Sequence, residues 1–161
     1  MYSENSRPWF FWLLLAIGLI LLVMFAWIEE LQMAENSDVY VVRVTYGIVL
    51  VYLVWMIWAC SRYIVYFDGQ SIIVGYIGWK VTLAINEIES AEKVDIAWLK
   101  WGGMGWRIRG LKSIGYITKS GPGIEIQTTR KGRKYTFNCA DQHALLSEMK
   151  RFQIQVKEKK S

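Results

Sequence analysis

The stretch YIVYFDGQSIIVGY, residues 63–76, marks a change in the chain's pattern, and its reading decides the fold. The run that ends at Cys60 is continuously apolar; from Tyr63 on, apolar residues alternate. Tyr63, Val65 and Phe67 share one parity and Ile64 and Tyr66 the other, the period of a strand with one buried face. Asp68-Gly69 follows at once. A two-residue loop needs positive φ at both central positions, so this pair predicts a hairpin, with SIIVGY as the returning strand.

Downstream the same logic continues. WKVTLAI (79–85) predicts a third strand after Gly78. EIESAEKVDI (87–96) suits a strand, although its charge would also suit a helix. IGYITKS (114–120), a turn at Gly121-Pro122-Gly123 and GIEIQTT (123–129) predict a further hairpin. RKGRK then turns the chain around Gly132 into KYTFNCAD, where Tyr135, Phe137 and Cys139 alternate with Thr136 and Asn138. A helix closes the segment. Asp141 is placed as its N-cap, and Leu145, Leu146, Met149 and Phe152 fall on one face. Some seven strands and one terminal helix predict a small, strongly bent antiparallel sheet or barrel, its open end covered by the helix.

Upstream, residues 9–28 (WFFWLLLAIGLILLVMFAWI) carry no charge. As a helix this run is about 30 Å long, the thickness of a bilayer's hydrocarbon core. A signal peptide would need a basic start, a shorter apolar run and a small-x-small site, none of which is present. A second run covers 39–60, with Arg43 near enough to its start to reach headgroups. Trp9, Trp12, Trp27, Tyr40, Trp58 and Tyr63 fall near the ends, as an aromatic belt requires. The connector 29–38 holds four acids and no Lys or Arg, whereas 61–161 holds 17 basic and 9 acidic residues, a net of +8. By the positive-inside rule both termini are expected in the cytoplasm of a multi-pass cell-membrane protein. Neither span carries intramembrane acids or a small-xxx-small repeat, so an anchor is expected and not a channel.

The expected organisation is therefore α+β: N-terminus 1–8, transmembrane helix 9–28, outer connector 29–38, transmembrane helix 39–61, cytoplasmic β-rich domain 62–154 and charged tail 155–161. Cys60 and Cys139 read as small buried hydrophobes, and with His143 the only histidine no metal site is expected.

On YIVYFDGQSIIVGY, WKVTLAINEIESAEKV, the glycine-tryptophan motif WGGMGWRIRG, SGPGIEIQTTRKGRKYTFNCAD and the final helix, the segment from about Ile64 to Phe152 resembles the bacterial pleckstrin-homology-like domains of small two-span membrane proteins. The resemblance implies that fold and a non-catalytic, interaction-type role. It supplies no substrate, and no phosphoinositide signature is present to carry over.

The segment AWLKWGGMGWRIRG (97–110) is the most unusual in the chain. Gly102, Gly103 and Gly105 are read as structural glycines that let the backbone bend. Trp98, Trp101, Lys100, Arg107 and Arg109 around them are candidate partner or lipid contacts, against a packing role for the tryptophans. Strand parity predicts Trp106 buried beside Ile108, with Arg107 and Arg109 facing out. The turn Arg130, Lys131, Arg133, Lys134 is the densest basic cluster: a solvated face, or a site for anionic headgroups. No aromatic-basic strand motif supports nucleic-acid binding. No nucleophile elbow, phosphate loop or metal spacing appears, and no catalytic residue or cofactor is assigned. The acids Glu87, Glu89, Glu92 and Asp95 read as a solvent face.

The expected role is a membrane-anchored interaction module that meets a membrane-protein partner or its own copies. The alternatives are a factor that binds anionic lipid or answers envelope stress, and an enzyme of a new type. The lipid bilayer is the expected surrounding of the two spans.

Overall fold

Period-2 alternation becomes strand pairing at β2 (Tyr63–Phe67) and β3 (Ser71–Tyr76), whose inward Tyr63, Val65, Phe67, Ile72 and Val74 are all buried. The protein is seen in a computed structural model that describes residues 1–32, 39–129, 132–152 and 154–157, without the side chains of 26, 28–32, 39–43 and 157. Phe67 pairs with Ile72 and Asp68 N–H donates to the Ser71 carbonyl at 3.3 Å, so the turn centres on Gly69-Gln70 and not on Asp68-Gly69 as expected. The physical reason is an Asx turn. The Asp68 carboxylate accepts from the backbone N–H of Gln70 (2.8 Å) and of Ser71 (2.7 Å), which wraps the chain around the side chain.

These strands belong to a four-stranded antiparallel sheet, β1-β2-β3-β4, completed by β1 (Tyr2–Ser6) and β4 (Trp79–Ala84). Residues 1–8, expected to be a simple flank, thus supply an edge strand. Tyr2 and Glu4 fasten it to the far end of the chain: the Glu4 carboxylate accepts from Ala140 N–H at 2.9 Å, and the Tyr2 hydroxyl lies 3.2 Å from Cys139 Sγ.

A 3-10 turn at Ile85–Glu87 carries the chain into a second, six-stranded sheet. It contains β5 (Ile88–Ile96), β6 (Gly105–Arg109), β7 (Ser113–Ile117), β8 (Gly121–Thr128), β9 (Lys134–Asn138) and β10 (Gln155–Lys157), in the order β10-β5-β8-β9-β7-β6. Segment 87–96 is therefore strand over most of its length. The expected hairpin of 114–120 with 123–129 does not form. β9 inserts between β7 and β8 and pairs with β7 in parallel, and β10 pairs in parallel with β5. Gly121-Pro122-Gly123 is not the turn but the first part of β8, opposite Val94–Ile96 of β5.

Asn138 accounts for this crossover. Its side-chain oxygen accepts from Thr118 N–H (2.8 Å) and Lys119 N–H (3.3 Å), while its amide donates to the Pro122 carbonyl (3.2 Å). One buried amide thereby satisfies backbone groups that the missing β7–β8 ladder leaves unpaired.

The inner faces of the two sheets meet in one core. Two buried tyrosines stitch it: Tyr63 donates to the Asn138 carbonyl at 2.7 Å and Tyr76 to the Ile117 carbonyl at 2.9 Å. Burial pushes both phenols above their ordinary range. Helix α3 (Gln142–Arg151) is capped by Asp141, which accepts from Ala144 N–H at 2.8 Å, and it buries Leu145, Leu146 and Met149.

Helices α1 (Phe10–Gln32) and α2 (Val39–Cys60) leave the first sheet between β1 and β2. They lie side by side: a Cβ on Gly18 would sit 3.5 Å from Ile57 Cδ1, and the Phe25 and Tyr46 rings are 4.6 Å apart. At their base Phe10 stacks edge-on against Tyr76 (5.8 Å) and Trp55 against Trp79 (5.2 Å), and Gly78 N–H donates to the Ala59 carbonyl at 3.1 Å.

Among the described residues no helix is long and apolar enough to cross a membrane. The expected transmembrane hairpin, the multi-pass membrane description and the cell-membrane localisation with both termini inside are corrected on this ground. The all-antiparallel, seven-strand domain is corrected to two sheets with two parallel pairings. Residues 33–38 of the connector, Arg43's side chain and 158–161 of the tail lie outside what is described.

Candidate functional site

Where the helix pair joins the sheets, α1, α2, β4 and the segment between β5 and β6 enclose a groove of about 460 Å³. This is within the size range of small-ligand sites. One side is helical and apolar: Phe10, Leu13 and Leu14 from α1 with Met56 and Cys60 from α2. Trp79 of β4 adds to it. The other side is the glycine-tryptophan segment, and its construction follows from the sequence.

After Ile96 the chain makes a 3-10 turn over Trp98–Trp101, ended by Gly102 at φ +73°. Gly103 and Gly105 also stand at positive φ, +121° and +96°, conformations that side-chain-bearing residues rarely adopt. This doubled-back path leads into β6, an edge strand, and separates residues that strand parity alone would group.

Trp101 turns inward and lies on β7, where a Cβ on Gly115 would come within 2.7 Å of its ring. The Arg109 guanidinium covers that ring at 6.0 Å. Both are thus packed together. Trp98 and Trp106 instead line the groove. Trp106 is 43% exposed, against the expected burial, because β6 is the edge strand of its sheet. It stands opposite Tyr116 across the strands.

Arg107 is the one charged residue among the groove's lining. Its guanidinium rests on Gly103, where an added Cβ would stand 2.9 Å from Nη2. It forms no ion pair with a described residue. Lys100 is exposed on the 3-10 turn, outside the groove. Cys60 closes the base, its thiol pushed up by burial.

Of the basic turn, Arg133 and Lys134 lie elsewhere. Arg130 and Lys131 lie outside the described residues. Lys134 is committed to Glu125, 2.7 Å from Oε1, and that contact holds its ammonium above the ordinary range; Thr136 donates to the other carboxylate oxygen at 3.1 Å. Arg133 is exposed. The structure brings Trp98, Gly103, Gly105 and Arg107 to one site and leaves Arg133 and Lys134 apart from it.

His143 sits on the surface with Lys93 Nζ 3.1 Å from its ring nitrogens. Glu89 accepts from Gln127 at 2.9 Å and Asp95 is exposed. Among the described residues no group of three or more His, Cys, Asp or Glu is placed to hold a metal ion.

Sequence reasoning missed the helical half of the groove. Phe10, Leu13, Leu14 and Met56 look like any other residue of their apolar runs, and only the lining from Trp98 and from Gly103 to Arg107 lay in a segment that stood out. No family model matches this chain, and neither do the curated proteins or solved structures.

Proposed function

We propose that this chain is a non-catalytic interaction module that assembles with copies of itself through its helix pair, setting the β-rich domains side by side. The observation that carries this reading is the exposure of the helices. Leu19 is 56% exposed, Val23 61% and Val51 72%, values that apolar side chains keep only when something else covers them. Leu19, Ile20, Leu22 and Val23 step around α1 by about 100° per residue and all are exposed. The apolar surface is therefore not one stripe. A cover must reach several sides, which a bundle of helix pairs supplies and a single two-fold contact does not.

The interaction-type role implied by the likeness to pleckstrin-homology-like domains is kept here on this exposure alone. Headgroup binding through the 130–134 turn is less favoured, since Lys134 already answers Glu125. An enzymatic reading would need titratable groups converging in a cavity, whereas the groove is walled by apolar side chains around one arginine.

The test is the mass of the full chain in a mild fluorinated surfactant, by light scattering and cross-linking. A defined oligomer is expected, and Val23→Glu with Val51→Glu should dissociate it. A monomer, or a chain that takes up lipid in preference to its own copies, would overturn self-assembly.

A further inference from the structure

The groove goes beyond the self-assembly reading, since it lies at the foot of the helix pair and combines two chemistries that the exposed helices lack. Its helical side offers hydrocarbon contact, and the opposite side holds one guanidinium that pairs with no acid among the described residues. We propose that this groove binds a single-tailed, long-chain carboxylate, its tail against Leu13, Leu14 and Met56 and its head on Arg107.

Charge complementarity selects the head. A guanidinium meets a carboxylate through two parallel N–H···O bonds, and one unneutralised cation matches a monoanion. A phosphate head, with more charge, calls for further cations. Arg109 is turned away onto Trp101, and Lys100 does not line the groove, so neither supplies one. The apolar walls select the tail. Each methylene withdrawn from water tightens binding about fourfold, and the indoles of Trp98 and Trp106 give flat contact area beside it. Gly103 is part of the device, because a side chain there would push the guanidinium off the loop.

The experiment uses the full chain in a fluorinated surfactant that does not mix with hydrocarbon, titrated with dodecanoate, dodecanol and dodecyl phosphate. The mass of the protein is measured in the same samples. Expected is one dodecanoate per chain, bound about tenfold more tightly than dodecanol, the difference that one charge-assisted pair supplies. Arg107→Gln should bring dodecanoate to the level of the alcohol with the melting temperature unchanged. Leu13→Trp, which fills the groove from a half-exposed position, should abolish both.

Three results would overturn the proposal. One is equal binding of acid and alcohol by the native chain. Another is uptake of many molecules per chain that Leu13→Trp leaves intact, which is adsorption on the helices. The third is dodecyl phosphate binding more tightly than dodecanoate, which would assign the site to a phosphate head. The oligomeric mass reports the assembly reading separately, so either proposal fails on its own measurement.

Discussion

The sheets and the helix pair are built from similar apolar residues and treat them in opposite ways. Val65, Ile72, Ile124 and Phe137 are wholly buried between the sheets, while Val23, Ile48, Val51 and Val54 on the helices stand largely exposed. In a sheet every second residue turns to the same face, so two facing sheets cover each other's apolar residues completely. Two helices touch along one line and leave the rest of their circumference uncovered. Apolar content alone therefore does not say where a residue's contacts are; the geometry of its element does.

The widest test of this contrast is a pair of truncations. Phe137→Ala should cost about 3–5 kcal/mol of folding stability, the range for emptying a packed aromatic site. Val51→Ala should change the unfolding of the β-rich part by no more than about 0.5 kcal/mol. Denaturant unfolding followed by near-ultraviolet circular dichroism reads both, and a comparable loss in the two variants would break the comparison. A smaller effect is expected at the crossover. Asn138→Ala leaves Thr118 and Lys119 N–H unpaired in a buried place and should cost about 2 kcal/mol, whereas a loss near zero would mean that water replaces the amide. Smaller again is the cap of α3: Asp141→Ala should lose about 1 kcal/mol, and Asp141→Ser most of that back.

A pH series sharpens the same contrast without mutation. Burial pushes the Cys139 thiol up to about 11 and the Tyr116 phenol to about 12. Both groups are protonated in the fold, so their contribution is complete below the unfolded values near 9 and 10. It is lost as pH rises from there toward 11 and 12. At the acid end the two N–H groups on Asp68 hold its carboxyl below the ordinary range, so this turn should loosen only when pH falls through that lowered value. A melting temperature that is flat between pH 8 and about 11 would contradict the alkaline arm.

Much of the strand content was legible because it rests on short-range rules. The parity of Tyr63, Val65 and Phe67 and the cap at Asp141 need only neighbours within a turn or a pleat. The pairing of β7 was not legible. IGYITKS and GIEIQTT are adjacent in sequence with glycine and proline between them, and nothing local says that Asn138, farther on, will hold the crossover so that β9 enters between them. β1 was missed for a related reason: YSENS has no apolar alternation, and its edge position is fixed by Glu4 and Tyr2 contacting residues 139 and 140. In the candidate site, the bend at Gly102, Gly103 and Gly105 could be read from composition. The division of labour between Trp101 and Trp106 could not, since it depends on Gly115 lying beneath one ring and on the other standing on an edge strand.

By itself the sequence determined which segments are apolar, which alternate and where glycine frees the backbone, because each of these is a property of a residue and its near neighbours. Tertiary structure alone decided that the ten strands among the described residues divide into two sheets with parallel pairings, and that Arg107 faces the foot of two helices some fifty and a hundred residues away. Such placements follow from closing the core and satisfying every buried backbone group at once, a condition on the whole chain that no window of sequence contains.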